Sequence, residues 1–176
     1  LWESLVSTSN GQRILLVEDE KIVAVQEAAL LRRHDYTVVI AHTGEDALEL
    51  VSRDCPFDII VMDIDLGPGI DGTETARRVL ERWEIPIVFL TGHQEREMVE
   101  RVKNITRYGY VLKGSGDFVV LEALQTACEL FNSNRELRDY RKWLSAIIDA
   151  LPDEFFALDR DGRYVLQNVN SRRSGG

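Results

Sequence analysis

Several apolar runs of this chain end in groups suited to holding a metal ion and a phosphate. "RILLV" (13–17) is followed by Glu18 and Asp19, "DIIVM" (58–62) by Asp63 and, one residue on, Asp65; "IPIVFL" (85–90) is followed by Thr91, and "YVL" (110–112) by Lys113. A strand leaving a hydrophobic core has little reason to end in carboxylates, because each resists desolvation and each repels the next. Two carboxylates about 5 Å apart repel by roughly 3 kcal/mol at an effective dielectric of 20. A pocket gathering Glu18, Asp19 and Asp63 therefore favours a hard divalent cation. Mg²⁺ takes oxygen donors and keeps several waters, which leaves a place for a phosphoryl oxygen. The Lys113 ammonium then neutralises a second phosphoryl oxygen and the Thr91 hydroxyl hydrogen-bonds a third, the clamp that phosphoryl transfer needs. Asp63 is the in-line nucleophile of such a site.

The elements that must position these groups are legible in the same runs. "RILLV", "YTVVIA" (36–41), "DIIVM", "IPIVFL" and "YVLK" (110–113) read as buried strands. Between them lie segments with helical spacing, such as Ala76, Val79, Leu80 and Trp83, or Met98, Val99, Val102 and Ile105. Continuous rather than alternating hydrophobicity implies a parallel sheet covered on both faces by right-handed crossovers. The expected fold is doubly wound α/β, and in such sheets functional groups collect at the C-terminal ends of the strands.

A last helical segment opens near Asp117. Leu130, Leu137, Leu144 and Leu151 recur every seven residues, with Tyr140 and Ile147 three residues after two of them. That is an a/d seam suited to a coiled-coil dimer, or a stripe packed on its own domain. Ser133 and Glu136 match a capping box, which predicts a break near Asn132–Asn134. Beyond Leu151, "FFALD", "RDG" and "RYVLQNV" read as strand, turn and strand. The expected division is an N-terminal tail (1–11), a main domain (12–131), a helical linker (132–151) and the beginning of a further module (152–176).

Composition narrows the function. With 176 residues and 44% hydrophobic content the chain can fill a core, and a net charge of -9 argues against a nucleic-acid surface. Cys55 and Cys128 form no CxxC, which suggests neither a disulfide framework nor a zinc site and fits a reducing cytoplasm. No run approaches the ~20 apolar residues of a membrane span, so this segment is expected to be soluble. His34, His42 and His93 sit in no recognisable phosphohistidine helix and read as surface residues.

Over residues 12–131 the chain resembles the receiver domain of two-component response regulators. The resemblance is carried by "ED" (Glu18, Asp19), Asp63 in "VMDIDL", "DGTETA", "FLTG" with Thr91, and "GYVLK" with Lys113. It implies a flavodoxin-like five-stranded sheet of order 2-1-3-4-5. It also implies that Asp63 accepts a phosphoryl group from a histidine kinase or phosphotransfer protein, in a phosphorelay. Mg²⁺ would be held by Glu18, Asp19, Asp63 and the main-chain carbonyl of Asp65. Tyr110 matches the family's switch aromatic, turning inward as Thr91 moves toward the phosphoryl group. The surface so controlled, formed by the fourth and fifth helical segments and the fifth strand, is a second candidate for homodimer contact. The tail "LSAIIDALPDEFFALDRDGRYVLQNVN" looks like the entry of a PAS sensor domain.

Two positions depart from the family pattern. Gly114 follows Lys113 where relatives carry proline, which predicts a more mobile loop. Asp65 stands where many relatives are neutral; its carboxylate is expected at the pocket rim, altering phosphoryl lifetime either by repelling the phosphoryl group or by orienting water. Two other readings fit some of the residues. "DID" resembles the DxD of aspartate-nucleophile phosphohydrolases, with Asp65 as general acid; the motif there normally lies on the first strand. A receiver-like docking or dimerisation module without phosphorylation is the other.

Overall fold

The computed structural model describes residues 11–52, 54–92, 105, 108–151 and 156–168. The stripe residues Met98, Val99 and Val102, with His93 and most of the N-terminal tail, lie outside them. The chain divides into two compact units, Leu1–Phe131 and Asn132–Gly176.

In the first unit, β1 (Arg13–Val17), β2 (Thr37–Ala41), β3 (Ile59–Met62), β4 (Ile87–Thr91) and β5 (Tyr110–Leu112) form one parallel sheet of order β2-β1-β3-β4-β5. The helices α1 (Lys21–Arg33), α2 (Gly44–Leu50) and α3 (Gly72–Leu80) alternate with the strands, and α4 (Asp117–Asp149) follows β5. Side chains alternate across a strand, so the apolar runs supply two cores. Leu15, Val17, Ile60, Met62, Ile87 and Phe89 share one face with Ala47 and Val79 of α2 and α3. Ile14, Leu16, Ile59, Val61, Val88 and Leu90 share the other with Ala28, Leu31 and Leu124. Burying each large aliphatic side chain contributes about 1.5–3 kcal/mol, and both faces need a helical cover, which is why the strands read as unbroken apolar runs.

Local chemistry sets the helix starts. The Thr43 hydroxyl accepts from the Asp46 N–H at 3.0 Å, and the Asp71 carboxylate accepts from the Glu74 N–H at 2.7 Å. On α3, Glu74 pairs with Arg77 and Arg78, and these hydrogen bonds draw its carboxyl down to about 2. The expected break near Asn132–Asn134 does not occur: α4 is helical throughout Asp117–Asp149. Good helix formers, Arg135, Glu136, Leu137 and Arg138, follow directly, and they offset the weak propensities of Asn and Ser, each a fraction of a kcal/mol.

In the second unit, β6 (Phe156–Leu158) and β7 (Tyr164–Gln167) form an antiparallel hairpin. Asp159 closes its turn by accepting from the N–H groups of Asp161 and Arg163, both at 2.9 Å. The buried Asn168 side chain donates to the Leu151 carbonyl at 3.5 Å. Leu137, Tyr140, Trp143 and Ile147 of α4 are exposed.

Candidate functional site

Strand register brings the polar strand ends together. Val17 pairs with Met62, so the next residues, Glu18 and Asp63, leave the sheet side by side, and the Asp63 N–H donates to the Val17 carbonyl at 2.9 Å. Thr91 pairs with Leu112, and the Lys113 N–H donates to the Thr91 carbonyl at 2.7 Å. Strand pairing thus carries Lys113 from the sheet edge to the acidic ends of β1 and β3.

There its ammonium bridges two carboxylates. Lys113 Nζ lies 2.6 Å from Glu18 Oε2 and 2.6 Å from Asp63 Oδ2. The other Asp63 oxygen accepts from the Ile64 N–H at 2.7 Å. Glu18, Asp63 and Thr91 are buried, Asp19 and Lys113 are half-buried, and Asp65 is exposed. Burial alone would pull the Lys113 ammonium down, but the hydrogen bonds and charges of Asp63 and Glu18 outweigh it and raise its pKa. Burial raises the Glu18 carboxyl; the Lys113 hydrogen bond opposes that and the Asp63 charge adds to it.

Carboxylate oxygens of Glu18, Asp19 and Asp63 all lie within 4.8 Å of one another. Oxygens sharing an octahedral ion at 2.0–2.1 Å lie about 3–4 Å apart, so the set is within a side-chain adjustment of an Mg²⁺ site. The donors are all hard oxygens, as that ion requires. Tyr110 presents its ring outward on β5, 37% exposed. After Lys113 the chain turns, the Ser115 N–H donating to the Leu112 carbonyl at 3.1 Å, with Gly114 and Gly116 at φ of +82° and +95°. L side chains rarely adopt that backbone.

Three supporting residues were given no such role by the sequence reading, although Gly72 lies within the quoted "DGTETA". His42, read as a surface residue, is half-buried at the end of β2, and its Nδ1 donates to the Glu18 carbonyl at 2.9 Å. Its position one residue beyond Ala41, the strand partner of Val17, was the available signal. Gly72 opens α3 with its N–H donating to the Ile64 carbonyl at 2.8 Å, tying the loop after Asp63 to the sheet. Glu27 on α1 has a buried carboxyl oxygen without a hydrogen-bond partner; nothing in the spacing of α1 marks it.

The family model for the response regulator receiver domain matches residues 14–125. The transcriptional regulatory protein PdtaR of Mycobacterium tuberculosis is 31% identical over 121 residues, 68% of this chain and 58% of that protein. This chain therefore spans little more than half the length of that relative. Among solved structures, the N-terminal domain of a response regulator/sensory box/GGDEF three-domain protein from Carboxydothermus hydrogenoformans is 43% identical with a TM-score of 0.66, covering 70% of this chain and 98% of that one. The BeF3-activated N-terminal receiver domain of Klebsiella pneumoniae RstA is 32% identical with a TM-score of 0.61, covering 66% and 97%.

Proposed function

Because this chain belongs to the response regulator receiver domain family, we propose that Asp63 is its phosphoryl acceptor, charged from a phosphohistidine of a histidine kinase or phosphotransfer protein. The observation that carries this reading is the Lys113 ammonium held 2.6 Å from both Glu18 and Asp63. An Asp63 oxygen attacks phosphorus as the P–N bond to the donor imidazole breaks, and the imidazole keeps the electron pair. Lys113 then follows the charge from the carboxylate to a phosphoryl oxygen. Thr91, at the end of β4, supplies a hydroxyl to another.

Glu18, Asp19 and Asp63, with the Asp65 carbonyl, are the residues that would hold Mg²⁺; bound there, the ion supplies neutralisation of phosphoryl charge. Glu18 is fixed for this through the hydrogen bond that His42 gives its main chain. Thr91 and the outward Tyr110 form the proposed switch, which alters the face around β5 on phosphorylation.

We read residues 132–151 as a linker and the hairpin of β6 and β7 as the opening of a PAS-like module. The Carboxydothermus relative, which by its name joins a response regulator to a sensory box, supports that arrangement. The exposed a/d seam of α4 is proposed to pair with a second copy. Cys55 and Cys128 are both free, which suits the cytoplasmic setting of this proposal. Among the described residues no helix is long and apolar enough to cross a membrane.

Intact-mass spectrometry after incubation with acetyl phosphate and Mg²⁺ tests the reading. A gain of one phosphoryl group, about 80 Da, absent in Asp63→Asn and in EDTA, is the expected result. No gain in a folded protein would favour a docking module. Repeated turnover of small phosphate esters would favour a phosphohydrolase.

A further inference from the structure

The loop between β3 and α3 carries Asp65, whose main-chain carbonyl belongs to the proposed Mg²⁺ set, and passes through Gly67, Pro68, Gly69 and Ile70 before Asp71 caps α3. The Gly72 N–H ties its far end to the sheet. Within it, Gly67 and Gly69 stand at φ of +66° and +118°. A stretch of that composition has much conformational entropy to lose, and a carbonyl at its start stays on a metal site only if the stretch is held.

The hold comes from α2. Glu45 stands in its first turn, where the Thr43 cap fixes the helix start. Glu45 Oε1 accepts from the Ile70 N–H at 3.2 Å, and both carboxylate oxygens lie 2.9 Å from the place a Cβ on Gly69 would take. The carboxylate therefore rests against the Gly69 α-carbon while binding the next amide. Gly44 lets the two elements come this close, since a Cβ there would stand 2.6 Å from Ile70 Cγ1. On its other side the loop meets the site itself, with Asp19 Oδ2 only 3.0 Å from the place a Cβ on Gly67 would take. Residues Gly67 to Ile70 are thus held between Glu45 and a member of the acidic cluster.

We propose that Glu45 is a positioning residue of the acidic site: by holding Gly69 and Ile70 it keeps the Asp65 carbonyl within the ligand set, and it thereby sets the affinity for Mg²⁺. Groups behind the ligands orient a metal site in this way without touching the ion. The proposal rests on the reading of Glu18, Asp19 and Asp63 as a Mg²⁺ site. An acid in the first turn of a helix also suits the macrodipole, but that demand is met by charge alone. The bond to Ile70 demands an acceptor oxygen at the full reach of the side chain, so the two roles can be separated.

The test is a Mg²⁺ titration of the ¹⁵N-labelled full chain, followed by the amide shifts of Asp19 and Asp65, beside Glu45→Asp and Glu45→Gln. Asp keeps the charge and withdraws the oxygen from Ile70; Gln keeps the reach and a carbonyl oxygen that accepts the same bond, without the charge. Glu45 is exposed, so neither change touches the core. The expected result is a Kd for Mg²⁺ about fivefold higher in Glu45→Asp, the worth of one net hydrogen bond, and unchanged to within about twofold in Glu45→Gln. The reverse pattern, or an equal rise in both variants, would mean that Glu45 acts through its charge and would overturn the proposal. Mg²⁺ binding with one Kd in all three proteins overturns the role of Glu45 alone. Absence of saturable shifts in the unaltered chain overturns the Mg²⁺ reading of the pocket, and the role of Glu45 with it.

Discussion

The α-carbon of Gly72 and the main-chain carbonyl of Asp63 approach so closely that a methyl group on Gly72 would overlap the carbonyl oxygen. The start of α3 is thereby keyed to the backbone of Asp63, the proposed acceptor, and the Gly72 hydrogen bond to Ile64 fixes the register. Gly72→Ala must push the two apart. We expect a loss of about 1–3 kcal/mol in urea unfolding, the usual cost of overpacking, together with slower labelling of Asp63. An unchanged unfolding midpoint would show that the contact can relax freely.

What the sequence revealed of this site follows from strand geometry. Glu18, Asp19, Asp63, Thr91 and Lys113 each end a run that had to be a buried strand, and parallel register alone makes such ends converge. The supporting residues obey no comparable rule. Gly72 lies nine residues from Asp63 in sequence and matters through a steric approach made only in three dimensions. Glu27 sits on a helix whose other charged residues are exposed, so its burial depends on how α1 lies over the sheet. The misread break at Asn132–Asn134 has a related cause. A capping box needs a non-helical residue at its first position, and here the helix already running from Asp117 supplies hydrogen bonds straight through.

Lys113 compensates two carboxylates, and its removal should expose their repulsion. Lys113→Met is expected to lower stability at neutral pH by about 1–3 kcal/mol, a buried-pair loss discounted for the partial exposure of the lysine. Millimolar Mg²⁺ should raise the melting temperature of this variant more than that of the unaltered chain, because the ion takes over the compensation. Equal Mg²⁺ responses would mean that the acidic cluster binds the ion without sensing the lysine.

Glu27 predicts a descending limb in the pH dependence of stability. Its carboxyl is pushed from 4.5 up to about 7, first by burial, then by the charge of Glu18, with Lys113 opposing and Asp63 adding. Across that window the folded chain keeps a proton that the unfolded chain has released, so stability falls as pH rises. The full cost, about 3 kcal/mol, is reached above the folded value and vanishes below the unfolded one. Glu27→Gln should remove this contribution, so its stability relative to the unaltered chain rises between about pH 5 and pH 8 in urea titrations. Parallel curves for the two proteins would contradict the assignment.

Asp65 is exposed one residue beyond the buried Ile64, at the rim of the proposed acceptor site. Whether its carboxylate repels the phosphoryl group or orients water onto it, the sign is the same: Asp65→Asn should lengthen the lifetime of the phosphorylated form. A unit charge acting through water over about 6 Å is worth about 0.7 kcal/mol, or about threefold in rate. Loss of label followed by mass spectrometry after removal of phosphodonor gives the comparison, and identical decay rates would assign Asp65 no part in it.

The seam of α4 is the remaining feature with a direct readout. Leu137 and Tyr140 are 58% and 59% exposed, at positions three residues apart in a heptad pattern that continues through Leu144 and Ile147. Exposed apolar side chains in such register are what a second helix of the same kind would cover. Because both residues already face solvent, Leu137→Glu with Tyr140→Glu should leave the receiver fold and Asp63 labelling intact while placing four like charges in a paired seam. Light scattering during size-exclusion chromatography is then expected to give a dimer for the unaltered chain and a monomer for the double variant. A dimer that survives these charges would shift the contact to the face around β5, and a monomer in both would remove the proposed pairing.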